Sequence, residues 1–308
     1  MKTKDLLGIA ILACCWGTTF LFIKVLVGGL EPISMTFFRC VVASLTLLAL
    51  CLYQGADFRP LWAQKWDILA VALLGAALPF ALCASGEKVL PSSTAGIIEG
   101  TTPIFALLFS VLFVKDSQVS YAQGLGVFVG FLGVFTIFGM DWQQLLAADS
   151  AQELVGKSKC VLMAASFAGC YVYSKQRLTQ LPALPVITAQ LGVAALLLGP
   201  LSLIVDGAWN FQAFSPQLIF SLFGLAVWGT ATGWYLYYKL IKNISPSQIA
   251  LANYLCPVLA IVLGFVFLGE NLSLQQVLGT VLVLISMSLS SRSPETNVEN
   301  LRPSEKSA

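Results

Sequence analysis

The chain has 308 residues, 57% of them hydrophobic and only 10% charged, with a mean hydropathy of +0.84. Soluble domains carry roughly 25% charged and 45–50% apolar residues, so this composition excludes an ordinary water-soluble domain and indicates a polytopic helical membrane protein. The net charge is +2, the 17 Lys and Arg are scattered, and there is no histidine. That excludes a nucleic-acid footprint, and it removes the usual metal ligand and near-neutral proton shuttle.

A span needs about 20 predominantly apolar residues to cross the hydrocarbon. In chain order there are ten candidates, at residues 6–27, 32–53, 66–86, 92–114, 119–138, 155–174, 185–205, 218–240, 246–268 and 274–289. Lys2 and Lys4 before the first resemble a signal peptide. The apolar run continues through Val27, however, beyond a secretory core of roughly 7–15 residues, so a retained helix is expected. Lys157 and Lys159 intrude on the sixth span, and the tenth is short. The expected fold is an all-α membrane protein of ten transmembrane helices. It divides into a five-helix unit (1–140), a linker (141–154), a second five-helix unit (155–290) and a polar tail (291–308) expected to be disordered. The eight cysteines (Cys14, Cys15, Cys40, Cys51, Cys83, Cys160, Cys170 and Cys256) lie in or beside apolar runs without CxxC or metal spacing, and read as buried small hydrophobes.

Orientation follows the Lys/Arg bias. With the N-terminus inside, the inner segments hold Lys2, Lys4, Arg59, Lys65, Lys115, Lys175, Arg177, Lys239, Lys242, Arg292, Arg302 and Lys306. The outer segments hold only Lys88, Lys157 and Lys159. Both termini are then cytoplasmic, which agrees with an even number of spans.

The two halves repeat one another. Residues 88–116 align with 242–270 at an offset of 154–155, matching Pro91 with Pro246, Pro103 with Pro257 and Asp116 with Glu270. Gly75 matches Gly229, Lys88 matches Lys242 and Gly124 matches Gly279. An odd number of spans in each half inverts the second copy, and an inverted repeat with proline-interrupted helices marks a transporter.

The candidate functional residues follow from this pattern. A helical proline leaves the carbonyl four residues earlier without its donor. For Pro103 that carbonyl is on Glu99, and for Pro257 it is on Asn253, the symmetry mate of Glu99. Each half thus places a polar side chain and a freed carbonyl one turn before an expected kink, a combination tolerated in hydrocarbon only against protein or a water-filled cavity. The alternative is that Glu99 and Asn253 bond neighbouring helices. Glu99 reads as the only carboxylate deep in a span, which makes it the candidate proton coupler. It could equally pair with Lys24 or Arg39, near the outer ends of the first two spans. Those cations either meet a carboxylate-bearing solute or, for Lys24 above all, snorkel to the interface. In the eighth span, Trp228 and Trp234 lie too deep for an interfacial belt to explain them, so one of them could line a cavity.

At these residues the chain resembles the EamA-type branch of the drug/metabolite transporter superfamily. The likeness is strongest at residues 248–289, with Leu268-Gly269-Glu270 followed by a Gly-bearing last helix. The first half agrees through Trp16-Gly17-Thr18-Thr19-Phe20, Lys24, Pro32 and Arg39, and departs at Val114-Lys115-Asp116, where Leu-Gly-Glu is usual. The resemblance implies ten helices, a central cavity between two five-helix halves, alternating access and, for bacterial members, export of amino acids, related metabolites or toxic compounds from the inner membrane. The expected function is secondary export of small organic solutes, with import or exchange of charged metabolites as the alternative. An intramembrane enzyme is disfavoured because no catalytic set is evident. The expected cavity residues are Trp16, Thr18, Thr19, Lys24, Arg39, Glu99, Trp234, Asn253 and Tyr254, with Pro103 and Pro257 as kinks. Glu270 reads as a helix cap. The partners expected are the solute and membrane lipid. No cofactor, metal, nucleic acid or nucleotide is expected, since no GxxxxGK[ST] loop occurs. A monomer suffices, because one chain holds the whole repeat.

Overall fold

The computed structural model describes residues 3–113, 120–138, 148–240 and 246–290. Regular structure among the described residues is helical throughout: α1 (Thr3–Val27), α2 (Pro32–Tyr53), α3 (Lys65–Glu87), α4 (Ser92–Phe113), α5 (Tyr121–Phe138), α6 (Ala148–Arg177), α7 (Ala183–Val205), α8 (Pro216–Phe223, Gly224–Thr232 and Gly233–Leu240), α9 (Pro246–Leu268) and α10 (Leu274–Ser290). Six of these, α1 to α4, α7 and α8, contain stretches of 22–23 residues long and apolar enough to cross a membrane. At 1.5 Å per residue they rise roughly 33 Å, matching a hydrocarbon core of about 30 Å. Shorter apolar stretches occupy Tyr121–Ile137, Leu255–Leu268 and Leu274–Leu289. The tail from residue 291 lies outside the described residues.

Local chemistry explains the ends. Pro32 and Pro216 open α2 and α8, where a missing N–H costs nothing, and the Ser215 hydroxyl accepts from Leu218 N at 3.3 Å. After α9, Gly269 adopts φ +66°, a left-handed turn that suits glycine and carries the chain back toward the bundle. Helix α6 begins at Ala148, inside the stretch expected to be linker. No Gly or Pro interrupts residues 148–155, and Lys157 pairs with Glu153 one turn earlier at 2.6 Å, so the helix extends past its apolar part.

The helices pack in a recurrent pattern. Helix α1 lies on α9 and α8, α6 lies on α4 and α3, α2 pairs with α7, and α5 pairs with α10. Phe20, Ile23, Met35, Ile97 and Ile98 are buried between them. The outer faces are apolar instead of charged: Leu196 is 76% and Ile204 80% exposed, as lipid-facing side chains are.

Three irregularities shape the interior. Helix α3 carries a π-helical turn at Leu73–Ala77 and α8 a longer π-helical stretch at Gly224–Thr232. These contain Gly75 and Gly229, the glycines matched by the repeat. Helix α4 breaks at Gly100–Thr101 into Ser92–Glu99 and Thr102–Phe113, whereas α9 runs unbroken through Pro257. The expected pair of matching kinks is therefore a true interruption at Pro103 and a continuous helix at Pro257. At the α4–α9 crossing, a Cβ on Gly96 would stand 2.6 Å from the Cβ of Ala260. Gly96→Ala is expected to force the helices apart and cost about 1–3 kcal/mol by overpacking. Thermal unfolding in detergent measures this, and Ala260→Gly in the same chain should recover part of the loss.

Candidate functional site

A narrow cavity of about 60 Å³ lies inside the bundle. Its walls are Trp16 and Thr19 (α1), Arg39 (α2), Phe80 (α3), Gly96, Glu99, Gly100, Thr102 and Pro103 (α4), Phe167 and Tyr171 (α6), Gly229 and Trp234 (α8), Cys256 and Pro257 (α9), and Met287 (α10). Of the expected cavity residues, Trp16, Thr19, Arg39, Glu99 and Trp234 line this cavity, and so do Pro103 and Pro257, which the sequence marks as kinks. Phe80, Phe167 and Tyr171 were not anticipated, since nothing in their spacing separates them from packing aromatics. They continue a ring-to-ring wall: Phe80–Phe167 at 6.0 Å, Phe167–Tyr171 at 6.4 Å, Tyr171–Trp234 at 6.1 Å and Trp234–Trp16 at 5.8 Å.

Arg39 is 6% exposed and does not snorkel. Its guanidinium lies 3.6 Å from the Phe80 ring centre, and its Nε donates to Thr230 Oγ1 at 2.9 Å. The π-helical register of α8 supplies that acceptor, because the Thr230 hydroxyl itself donates to the Leu225 carbonyl five residues back at 2.8 Å. Among the described residues, the two terminal nitrogens of Arg39 have no hydrogen-bond partner and no ion pair. Glu99 closes the first segment of α4. Its carboxylate likewise accepts no hydrogen bond and joins no ion pair among the described residues, so it pairs with neither Arg39 nor Lys24. The carbonyl that Pro103 frees does not face a solute: it accepts from the Thr102 hydroxyl at 2.7 Å, as the Ile98 carbonyl does from Thr101. The site thus sets a guanidinium and a carboxyl group on one apolar, aromatic-walled space, with no ion pair or hydrogen bond joining them among the described residues.

The profile of the EamA-like transporter family matches this chain twice, over residues 3–139 and 155–292. The chain belongs to the EamA-like transporter family. It is 26% identical over 293 residues to the uncharacterized transporter YvbV of Bacillus subtilis, covering 94% of this chain and 92% of that one. It is 26% identical over 269 residues to the uncharacterized inner membrane transporter YedA of Escherichia coli K12, covering 84% and 81%. An uncharacterized transporter of Archaeoglobus fulgidus is 22% identical over 284 residues, covering 92% and 97%. A solved crystal structure shares the fold at a TM-score of 0.65 and 17% identity, over 94% of this chain and 98% of the other. The molecule is accordingly a multi-pass membrane transporter of the drug/metabolite transporter type, with the EamA domain present twice.

Two expected cavity residues of this EamA transporter lie elsewhere. Lys24 does not line the cavity. Its Nζ donates to the carbonyls of Glu87 and Leu90, both at 2.7 Å, and caps the end of α3. Those carbonyls lack helical donors and sit within reach of a long cationic chain, a match that sequence spacing does not reveal. Thr18 also lies off the cavity, its hydroxyl turned back to the Cys14 and Cys15 carbonyls. The side chains of Asn253 and Tyr254 lie outside the described residues.

Carboxylates join the two EamA domains at both ends of the bundle. At the end where α3 stops and α4 starts, Glu270 accepts from Ser92 N at 2.6 Å, Ser93 N at 3.0 Å and the Ser93 hydroxyl at 2.7 Å. It therefore caps the start of α4 from across the molecule and not its own helix. At the same end, Asp206 accepts from the backbone and hydroxyl of Ser34 at the start of α2, and Gln276 donates to the Thr94 hydroxyl. At the opposite end, Asp67 at the start of α3 accepts from the Tyr173 hydroxyl at 2.7 Å and Arg177 Nε at 3.1 Å, both on α6.

Burial alone would raise the Glu270 carboxyl, but the hydrogen bonds from Ser93 and Ser92 outweigh it and hold it below the usual glutamate range. A depressed folded pKa adds stability above the unfolded value of roughly 4.3, and that stability disappears as pH falls through the folded value. Glu270→Gln should lower stability near neutral pH by about 1 kcal/mol, the usual worth of a helix cap. The difference from wild type should shrink on acidification below about pH 4, measured as unfolding midpoints across pH. Lys24→Met leaves two carbonyls without a donor and should cost about 1–3 kcal/mol in the same assay. Solute affinity, measured by equilibrium binding to the variant, should stay unchanged, because Lys24 does not reach the cavity.

Proposed function

We propose that this transporter moves small zwitterionic solutes, amino acids and close relatives, outward across a bacterial inner membrane by alternating access. The observation that carries the reading is the unpaired Arg39 guanidinium and Glu99 carboxylate on one aromatic-walled cavity. Opposite charges left apart in a low-dielectric interior are costly, and a solute bearing both charges relieves both at once. The planar fork of Arg39 suits a carboxylate, Glu99 suits an ammonium, and the wall from Phe80 to Trp16 suits an apolar side chain. A solute carrying two negative charges would find one cation here, since Lys24 is engaged at the α3 end, so the charged-metabolite exchanger reading is less well supported.

Glu99 is also the group proposed to exchange a proton. Ammonium and proton then compete for one carboxylate, which would drive solute out as protons return. At about 60 Å³ the cavity is far below the roughly 300–1,000 Å³ of a ligand pocket, so solute entry requires the halves to separate.

Ten crossings in a five-plus-five inverted arrangement support that motion. Each packing of one helix pair has a counterpart in the other half, π turns fall at the matched Gly75 and Gly229, and the family profile matches twice. With the termini cytoplasmic, as the Lys/Arg bias indicates, the Glu270 and Asp206 contacts close the outside and the Asp67 contacts close the inside. Each set must part when its side opens.

Counterflow into proteoliposomes loaded with amino acids, with amines or with carboxylic acids tests the reading. Uptake should follow the amino acids. Arg39→Lys should lower it about tenfold or more by losing the two-pronged contact, about 1.4 kcal/mol or greater. Glu99→Gln should abolish its response to a pH gradient. Equal exchange by both variants would reject the site, and no counterflow of any class would reject transport of these solutes.

A further inference from the structure

Glu87, the last residue of α3, was not anticipated as a buried carboxylate. It is 0% exposed. One carboxyl oxygen, Oε1, has only the Cys83 thiol at 3.5 Å, and the other, Oε2, has no partner among the described residues. Lys24 is near, yet its ammonium is bound to the Glu87 and Leu90 carbonyls and forms no ion pair with the Glu87 carboxyl. The charged and titratable groups around Glu87 are Cys83 on its own helix, Lys24 on α1, Arg39 on α2, Cys160 on α6 and Glu270 beyond α9. None of them donates a charge-assisted hydrogen bond to its carboxyl.

An ionised carboxylate in this position would be a buried charge without hydrogen bonds, which folded proteins avoid. We infer that Glu87 is a proton-binding site: it holds a proton while the Glu270 end of the bundle is closed, and exchanges it with outside water when the Ser92–Glu270 contacts part. On opening, the carboxyl releases its proton to that water, and the carboxylate that forms gains the Lys24 ammonium, which turns from the two carbonyls. On closing, one proton is taken back from the same side before the carboxyl is buried again. Lys24 is thus a positioning residue, its charge held on the Glu87 and Leu90 carbonyls until it is needed. This rests on the alternating-access reading for the opening step, but the proton itself is measurable without any transport.

Infrared spectra of the full chain in lipid at about pH 8, well above the ordinary glutamate pKa of roughly 4.3, provide the test. Wild type and Glu99→Gln should both show a protonated carboxyl band that exchanges slowly in deuterated water, and Glu87→Gln should lose it. A spectrum of Glu87→Gln that superposes on wild type overturns the inference. Should Glu87→Gln not purify, Glu99→Gln protein carrying carboxyl-13C glutamate decides: an isotope-shifted protonated band supports the site, and its absence overturns it. Loss of counterflow with the band intact would reject the transport reading and leave the proton site standing.

Discussion

Arg39 and Glu99 face the same small cavity, and the surrounding structure holds the guanidinium and the carboxyl group without a direct contact between them. Arg39 is tied sideways, by Thr230 through Nε and by the face of Phe80, and its two terminal nitrogens have no hydrogen-bond partner among the described residues. The acceptor exists because α8 slips into a π-helical register that brings the Thr230 hydroxyl onto the Leu225 carbonyl. Glu99 is placed by the interruption of α4 just beyond it, where Pro103 cannot donate and threonine hydroxyls take up the loosened carbonyls. Irregular backbone at membrane depth survives only where protein covers it or a cavity meets it, and both irregular stretches meet this one.

The ends of the bundle obey the same constraint. A helix start in a membrane protein exposes N–H groups that need acceptors, and here the acceptors come from the opposite half: Glu270 for α4 and Asp206 for α2. A cap that belongs to another domain is also a tether. Separating the halves at that end uncaps two helices, and the Asp67 contacts with Tyr173 and Arg177 impose a matching cost at the other. Both sets are intact here, and the cavity between them holds about 60 Å³. Glu87 lies behind the Glu270 tether, where a proton would be trapped by closure.

Much of this was legible in the sequence. The apolar runs located the helices, and the doubled proline segment pointed to Glu99. Arg39 stood out as a cation two turns inside an apolar span. Other features depend on contacts that periodicity does not encode. That α4 breaks at its proline while α9 passes through Pro257 reflects Gly100 and Thr101 ahead of Pro103, a pair that α9 lacks. Lys24 reads in the sequence as a cation near a span end, but its reach lets it cap α3. Glu87 falls just past the expected third span, where nothing in the sequence marks it as buried, whereas Lys88 takes the exposed position and pairs with Glu31. The matched glycines Gly75 and Gly229 were visible as a repeat without revealing that both lie in π-helical turns.

Arg39 and Glu99 on one cavity are proposed to select a solute that carries both a carboxylate and an ammonium. Calorimetric binding of a matched trio to the wild-type protein tests this selection most directly: one amino acid, the amine lacking its carboxylate and the carboxylic acid lacking its amine. The amino acid is expected to bind at least about tenfold more tightly than either fragment, a difference of about 1.4 kcal/mol or more. Equal affinity for the amino acid and for one of its fragments would contradict it.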